Sequence, residues 1–448
     1  MRELVDLGVP GLQPLAFLRR SPDAWRRVFD RAHATHFLRS EGLSVALGPP
    51  QRATGALLAT CRDVAERFAR FFAHVARAYV ERPELAPEYM LEPLLQPLVE
   101  DDQTMRTTTP LARLDCVLDA TGNVSVIEIN PVGGNLLHMR NVFYLLHHLE
   151  RAGLHDAAAE LEPLALYIVA AFERHYRLNR EERRAHPMVG CVTARGWMRG
   201  SNPLFRAVFH RFGWRYVWGD ARSVTVDAHG IQVRGEPVDV LWHDLLGQPA
   251  YQAARYVHTQ WHSRPGDLSG APDDLRTLLA NAQLREHLRS RRVVGISPGT
   301  SYLAMSKSLL AWIHDPERPC PADDRAWLAA HVARTYSVRE RRVGTLTLEQ
   351  ALDERETLLL KPCLYGGSHG VEVGRATSAD RWSEAVRAIW DDPTWVLQRF
   401  IEPVRSADGQ WLSLGLSAFE GLLGGISLRT SPGLVISARD AGYIPVVV

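Results

Sequence analysis

A lysine followed by a glycine-rich turn is the most informative pattern in the sequence. Lys361 ends an apolar run at 358–360, and the turn at 364–370 leads into a second short run at 371–373. Glycines let a backbone approach a polyphosphate closely, successive N–H groups can bind an anion, and the lysine can neutralise phosphate charge. The turn is not a Walker A loop, because no GxxxxGK[ST] motif occurs. The alternative interpretation is a surface hairpin with a bulge.

The second pattern is a predicted hairpin at 111–130, whose two strands flank a turn at 119–123. Alternation puts Arg113 and Asp115 on one face of the first strand, and Glu128 and Asn130 on one face of the second. A few oxygen ligands of this kind, completed by phosphate oxygens and water, hold Mg²⁺ beside a nucleotide. The alternative is an exposed polar face with an Arg–Asp ion pair.

Two more basic residues lie in suggestive surroundings. Lys307 comes at the opening of a predicted helix after a strand at 292–296, and Arg429 lies in a glycine-flanked strand at 424–431. The guanidinium could grip a carboxylate or a phosphoryl group, although a solvated lysine and a structural salt bridge are the simpler interpretations. Lys307 and Lys361 are the only lysines among 52 basic residues. Because arginine cannot replace lysine in a tight phosphate site, their retention favours a functional role.

Taken together, these motifs follow the order found in glutathionylspermidine synthase-like proteins, which are circularly permuted ATP-grasp enzymes, and the sequence resembles that family over roughly 111–448. The matching motifs are Arg113-x-Asp115, Glu128-x-Asn130, Lys307, Lys361-Pro362, Gly366-Gly367, Gly370-Val371, Trp395-Val396-Leu397-Gln398, Ile401-Glu402-Pro403 and Arg429. In an ordinary ATP-grasp chain the acid–Asn pair follows the lysine loop, whereas here Glu128 and Asn130 precede it. The permuted order is therefore implied.

The resemblance implies a role for each matching residue. The lysines would contact the phosphates of ATP, the glycine-rich turn would cover them, and 398–401 would line the adenine pocket. The residues implied to bind ATP are Lys307, Lys361, Gly366, Gly367, Ser368, Gly370, Gln398 and Ile401. Asp115, Glu128 and Asn130 would hold Mg²⁺, and Arg113 and Arg429 would steady an acyl phosphate. The run at 131–135 departs from the family pattern, which leaves substrate recognition open.

The implied activity is ATP-dependent carboxylate–amine ligation through an acyl phosphate, with release of ADP and phosphate. An amino acid or small peptide and an amine are the expected substrates, in natural-product or thiol metabolism. Two alternatives remain open at this point: a phosphotransferase on the same fold, and a non-catalytic nucleotide-binding homologue. There is no room for the amidase domain of bifunctional family members.

The expected fold is α/β, with four regions. We predict an N-terminal helical region at 1–100 and a permuted part of the ATP-grasp core, with the metal-binding hairpin, at 101–180. A pre-ATP-grasp Rossmann-like α/β domain is predicted at 187–297. The two lysines, the glycine-rich turn that would form a lid, and the C-terminal core are predicted at 298–448. Apolar residues at three-to-four spacing over 64–79 predict a helix, and short strands between 189 and 242 alternate with helix-like or turn-rich segments. Further helices are predicted at 139–152, 155–179, 275–289 and 378–390.

Composition excludes several other classes of protein. The 52 basic and 51 acidic residues give a net charge of +1, which argues against a nucleic-acid surface or a polybasic membrane patch. Five cysteines without a CxxC pair suggest neither a zinc site nor a disulfide framework. The N-terminus lacks a signal-peptide pattern, and the longest apolar stretch, 164–172, is too short to span a membrane. We expect a soluble, cytoplasmic protein, and a homo-oligomer remains open.

Overall fold

A computed structural model of the protein describes residues 7–20, 23, 28, 46–91, 95–102, 111–131, 136–180, 182–193, 202–244, 273–296, 299–364, 368, 370–436 and 442–448. The strands in chain order are β1 Leu12–Pro14, β2 Ala46–Leu47, β3 Gln51–Ala53, β4 Ala112–Leu118, β5 Val124–Asn130, β6 Met188–Thr193, β7 Arg215–Gly219, β8 Val224–Asp227, β9 Gly230–Val233, β10 Glu236–Pro237, β11 Val240–Asp244, β12 Val294–Gly295, β13 Thr335–Tyr336, β14 Leu358–Pro362, β15 Glu372–Val373, β16 Trp395–Arg399, β17 Trp411–Phe419, β18 Leu422–Ser431 and β19 Gly442–Val447.

The α-helices are α1 Ala16–Arg20, α2 Gly55–Glu81, α3 Ala86–Tyr89, α4 Gln96–Asp102, α5 Leu136–Arg151, α6 His155–Asn179, α7 Asn202–Arg211, α8 Asp273–Leu279, α9 Ala282–Arg289, α10 Leu309–Trp312, α11 Ala322–Ala330, α12 Val338–Arg342, α13 Leu348–Asp353 and α14 Ala379–Ile389. Short 3₁₀ helices lie at Pro83–Leu85, Ala221–Ser223, Gly299–Met305, Arg355–Thr357 and Gly374–Ala376. The chain is thus a mixed α/β protein with several sheets.

The largest sheet has eight strands in the order β1-β3-β19-β18-β17-β4-β5, with β2 beside β19. One face is apolar, and its leucines on β4, β17 and β18 form a core with the buried stripe of α2. Because side chains alternate along a strand, the residues between those leucines point to the opposite face. Polar and small residues of β4, β5, β17 and β18 therefore share that second face.

Helices α5 and α6 pack between the large sheet and a parallel four-stranded sheet, β12-β11-β6-β7. His175 on α6 connects the two sheets: its Nε2 lies 3.0 Å from the Gly295 carbonyl oxygen, and its Nδ1 lies 3.3 Å from Glu420 Oε1. The short strands expected between 189 and 242 are present, and two of them, β8 and β9, form an antiparallel hairpin. The single helix expected at 275–289 is instead two helices, because Asn281 accepts hydrogen bonds from the N–H groups of Gln283 and Leu284 and caps α9.

A second four-stranded sheet, β13-β16-β14-β15, carries the second lysine. One of its faces forms a core with α14, and alternation puts Lys361 on the other face. The segment before β13 is tied to the large sheet, since the Val126 N–H donates to the His331 carbonyl and the Ala333 N–H donates to the Val126 carbonyl. The open face of the small sheet therefore lies against the β4–β5 hairpin.

Two local expectations differ from the structure. The region predicted to be helical at 1–100 also contributes β1, β2 and β3 to the large sheet. Lys307 does not lie in a helix: the 3₁₀ helix Gly299–Met305 precedes it and α10 begins at Leu309. The reason is that the Lys307 N–H donates to the Cys363 carbonyl oxygen, 3.0 Å away, at the end of β14. No helix among the described residues is long and apolar enough to cross a membrane.

Candidate functional site

The polar face of the large sheet brings the predicted hairpin residues and Arg429 together. Directly opposite residues of antiparallel strands lie on one face of a sheet. The opposed residues form three successive rows across the strands β18, β17, β4 and β5. The first row is Arg429 and Ser413. The second is Ser427, Gly415, Asp115 and Glu128, and the third is Gly425, Ser417, Arg113 and Asn130. The hairpin pairing that alternation predicts is therefore the observed one, and Arg429 lies two strands away from it.

Asp115 lies at the centre of this face and is engaged by three side chains. Arg113 donates to it through Nε at 2.6 Å and Nη2 at 3.1 Å, Asn130 Nδ2 donates at 3.1 Å, and Arg429 Nη2 lies 3.0 Å from Oδ2. Burial by itself would raise the pKa of Asp115, but the two guanidinium groups outweigh it and lower that pKa to about 2. The carboxylate is therefore charged at neutral pH, and both of its oxygens are occupied.

Gly415 gives the arginines room to converge on Asp115. A Cβ at this position would lie 2.9 Å from Arg113 Cδ and 2.5 Å from Ser427 Oγ, closer than side-chain carbons ever approach. Glycine in a strand interior often marks such a close approach. The absence of a side chain at Gly415 thus lets Arg113 lie across β17.

Lys307 meets the other carboxylate of the hairpin. Its Nζ lies 3.5 Å from Glu128 Oε1, and only 4% of the Lys307 side chain is exposed. Because the Lys307 backbone is bonded to Cys363 at the end of β14, this lysine is anchored to the small sheet while its side chain reaches the large one. The contact joins the two sheets through opposite charges.

Lys361 is held by uncharged acceptors. Its Nζ donates to Gln398 Oε1 at 2.8 Å and to the Ile127 carbonyl oxygen at 3.3 Å. Ile127 is the extra residue of a bulge in β5, since Asp115 pairs with Glu128 and the next residue of β4 pairs with Val126. A bulge leaves a backbone group outside the ladder, so this carbonyl is directed at the small sheet.

Burial is the main reason why the pKa of Lys361 is lowered to about 8. Glu128 and, more weakly, Asp115 favour the ammonium form, whereas Lys307 disfavours it. The group therefore titrates close to physiological pH, unlike an ordinary lysine. A bound anion would stabilise the ammonium, because it would supply the counter-charge that Gln398 and Ile127 lack.

Among the described residues, the charges of the site do not balance. Four cationic side chains, Arg113, Arg429, Lys307 and Lys361, face two carboxylates, Asp115 and Glu128. Three buried polar atoms on the same face, Arg429 Nε and the hydroxyls of Ser413 and Ser417, have no hydrogen-bond partner in the part of the chain that is described. Excess positive charge and unused polar groups suit a site for a polyanion and a polar substrate.

The remaining predicted ATP-binding residues are placed as follows. Gln398 is fully buried, and its side chain contacts Lys361 and Thr335. Ile401 is half-buried just after β16. Ser368 donates to the Ile436 carbonyl oxygen at 3.1 Å, and Gly370 adopts a φ of 69° that favours glycine. Gly366 and Gly367 lie outside the described residues.

The predicted Mg²⁺ ligands have unequal surroundings. Over the described residues, no group of three or more His, Cys, Asp or Glu side chains is arranged to hold a metal ion. The Glu128 carboxylate and the Asn130 amide oxygen are hard donors that fit Mg²⁺ when phosphate oxygens and water complete its shell. Asp115 is already engaged by Arg113, Arg429 and Asn130, which suits an orienting role. Its role as a ligand stays a prediction.

Three residues of the candidate site are not predicted from the sequence. A glycine inside the apolar run at 411–419 could have pointed to Gly415, because glycine in a strand often marks close backbone or side-chain approach. Ile127 belongs to a bulge, and no residue type marks it in the sequence. Thr335 lies far from Lys361 along the chain, so no local spacing connects the two.

Comparison with known proteins adds little to this geometry. No family model matches the chain, and no curated protein matches it. Among solved structures it is similar to one described as "Putative gamma-glutamylcysteine synthetase" from Methylobacillus flagellatus KT, with 10% identity over 88% of each chain and a TM-score of 0.43. It is also similar to the ATP-grasp ligase PsnB complexed with precursor peptide PsnA2 and AMPPNP, with 13% identity over 60% of this chain and 90% of that chain and a TM-score of 0.29. These scores are too low to support a functional argument.

Proposed function

We propose that the protein is an ATP-dependent carboxylate–amine ligase with a circularly permuted ATP-grasp fold. The observation that carries the proposal is the meeting of both lysines with the hairpin between two facing sheets. Lys307 contacts Glu128, and Lys361 contacts the bulge next to Glu128. These two residues are also the only lysines of the chain, and the hairpin precedes them as the permuted order requires.

ATP would lie between the sheets with its phosphates on Lys307 and Lys361. A flexible ammonium meets a phosphate oxygen as a point charge, which suits a tight site. Mg²⁺, held by Glu128 and Asn130 beside Asp115, would supply further neutralisation of phosphate charge. The turn that contains Ser368 and Gly370 would close over the phosphates and keep water away.

The proposed reaction has two steps. A carboxylate oxygen of the first substrate attacks the γ-phosphorus of ATP, and ADP leaves with the bonding electrons, which gives an acyl phosphate. The amine of the second substrate then attacks the acyl carbon, loses a proton and expels phosphate, which leaves an amide. Arg113 and Arg429 would stabilise the charge on the acyl phosphate, and the unpartnered Arg429 Nε is a donor for this purpose.

The proposal is tested by incubating the purified chain with Mg-ATP and pools of amino acids, small peptides and polyamines. We expect phosphate release together with a product whose mass equals acid plus amine less one water. A phosphorylated acid as the final product would favour the phosphotransferase instead. ATP left intact with every pool would contradict both activities.

Variants on the hairpin connect the activity to the site. Glu128→Ala should abolish phosphate release, because it removes a proposed metal ligand and the partner of Lys307. Asp119→Asn is the matched control: Asp119 lies in the turn of the same hairpin and is half-buried, and its side chain accepts hydrogen bonds from Thr121 and Asn123 of that turn, which an asparagine oxygen can also accept. Equal activity of the Glu128→Ala variant and the control would refute the assignment of the site.

A further inference from the structure

A directed chain of hydrogen bonds runs from Thr335 to the ammonium of Lys361. The Thr335 hydroxyl donates to the Ala333 carbonyl oxygen at 2.9 Å, Gln398 Nε2 donates to Thr335 Oγ1 at 2.9 Å, and Lys361 Nζ donates to Gln398 Oε1 at 2.8 Å. Thr335 and Gln398 are both fully buried. Solvent therefore does not compete for these bonds.

The chemistry of the groups fixes the direction of this chain. A threonine hydroxyl has one proton, and here that proton goes to a backbone carbonyl. Thr335 Oγ1 can then only accept, so the nitrogen of the Gln398 amide must face it. The amide oxygen consequently faces Lys361 and requires a donor there, which the ammonium form supplies.

The bulge residue Ile127 closes the network. Its carbonyl oxygen lies 3.3 Å from both Gln398 Nε2 and Lys361 Nζ. Both side chains are thereby held against the large sheet, next to Glu128. Among the described residues, the Thr335 side chain contacts neither the hairpin carboxylates nor Lys361, so its influence on the lysine passes through Gln398.

We propose that Thr335 is a positioning residue that, through Gln398, fixes the orientation of the Lys361 ammonium toward the phosphates of a nucleoside triphosphate. The nucleotide part of this inference rests on the proposed function, whereas the orientation of Lys361 does not. Gln398 thereby has a role other than lining the adenine pocket. Thr335 is a residue that the sequence did not single out.

The charged groups around Lys361 make its protonation sensitive to the hydrogen bonds that run from Thr335 through Gln398. Glu128 on β5 and Asp115 on β4 favour the ammonium, Lys307 opposes it, and burial lowers the pKa to about 8. Losing the Gln398 acceptor would disfavour the charged form and lower the pKa further. A fall of about one unit would reduce the ammonium fraction at pH 7.5 about threefold.

Because the sequence has two lysines, the pKa of Lys361 can be measured directly in the full-length protein. Labelling with [ε-¹³C, ζ-¹⁵N]lysine should give two side-chain signals, and Lys307→Arg assigns them. We expect Thr335→Val to lower the titration midpoint of Lys361 by about half a unit or more, because a hydrogen bond to a charged group is weakened. Thr335→Ser, which keeps the hydroxyl, should restore the wild-type midpoint.

Thr357→Val is the matched control. Thr357 precedes β14, its hydroxyl contacts Arg399 of the neighbouring strand β16, and it is exposed. This variant should leave the Lys361 midpoint unchanged. If Thr335→Val does not fold, Thr335→Cys is the second variant, since a thiol is a weak acceptor, and it should lower the midpoint in the same direction.

A folded Thr335→Val or Thr335→Cys variant whose Lys361 midpoint equals that of the wild type would overturn the inference. An activity readout tests the nucleotide part: the alkaline limb of kcat/KM for ATP should move to lower pH in Thr335→Val and return with Thr335→Ser. A shifted midpoint in a protein without ATP-dependent turnover would support the orientation of Lys361 and refute the proposed function, so the two failures are distinguishable.

Discussion

The two sheets that meet at the site surround their buried charged side chains in opposite ways. On the large sheet, Asp115 is surrounded by Arg113, Arg429 and Asn130, and its pKa is low. On the small sheet, Lys361 is held by an amide and a backbone carbonyl, and its pKa is also low. A low pKa favours the charged form of a carboxyl group but disfavours the charged form of an amine.

The same direction of shift therefore has opposite consequences for stability. The ionised Asp115 stabilises the folded state, whereas the buried ammonium of Lys361 costs stability until an anion arrives. This difference indicates that the large sheet presents a preformed, internally neutralised framework. The small sheet keeps a cation that is held by uncharged acceptors, as the proposed polyphosphate site requires.

The largest expected effect comes from breaking the framework of the large sheet. Asp115→Asn should lower the free energy of unfolding by about 3 kcal/mol at pH 7, because it leaves two largely buried guanidinium groups without their counter-charge. Chemical denaturation measures this loss, with Asp119→Asn in the turn of the same hairpin as the control. A loss no greater than that of the control would mean that Asp115 does not organise this face.

The pH dependence provides a second measurement of the same effect. The pKa of Asp115 falls from 3.8 to about 2 on folding, so its stabilisation is complete above about pH 4 and is lost as the pH falls toward 2. The Asp115→Asn variant should lack this component. Its unfolding free energy should thus fall less steeply than that of the wild type over this range.

The next expected effect separates activity from stability on the small sheet. Lys361→Met should reduce ATP-dependent turnover about 100-fold or more, because one cationic donor to the phosphates is removed. Its free energy of unfolding at pH 7 should change little, since the variant no longer buries a cation but leaves the Gln398 amide oxygen without its donor. Lys361→Arg should also lose activity, because the broad guanidinium does not fit a site shaped for an ammonium.

The sign of the effect of Lys361 on the free energy of unfolding can be checked by varying pH. The folded-state pKa of about 8 lies below the usual lysine value of 10.5, so wild-type stability should rise as the pH passes from about 8 to 10.5. This rise should be absent in Lys361→Met. Wild-type-like turnover by Lys361→Met or Lys361→Arg would contradict the proposed role of the lysine.

The sequence predicted the parts of the fold that depend on local patterns. Alternation over 111–130 identified the hairpin and the faces of Asp115 and Glu128, and helical spacing identified α2. The separation of α8 from α9 depends on the Asn281 cap, a signal that the helical pattern at 275–289 concealed. The strands at Leu12–Pro14 and Gln51–Ala53 are too short to have a recognisable period.

The sequence predicts which residue types belong to the candidate site, but not which of them are in contact. The resemblance singled out Asp115 and Arg429, yet only the structure shows that the two form an ion pair. Ile127 contacts Lys361, and Thr335 contacts Gln398, between segments that are distant along the chain. Such contacts depend on how the two sheets dock, and docking leaves no period in the sequence.

The smallest expected effect tests whether the framework of the large sheet is fully satisfied. Ser413 and Ser427 are both buried on its polar face, but the Ser427 hydroxyl donates to the Gly415 carbonyl at 3.2 Å, whereas Ser413 Oγ has no hydrogen-bond partner in the described part of the chain. Ser413→Ala should therefore raise the free energy of unfolding by up to about 1 kcal/mol, and Ser427→Ala should lower it by a similar amount. Chemical denaturation of both variants decides the matter. Destabilisation by Ser413→Ala would mean that its hydroxyl has a partner in solution, such as an ordered water. The Ser413 hydroxyl would then be hydrogen-bonded, as the Asp115 carboxylate is.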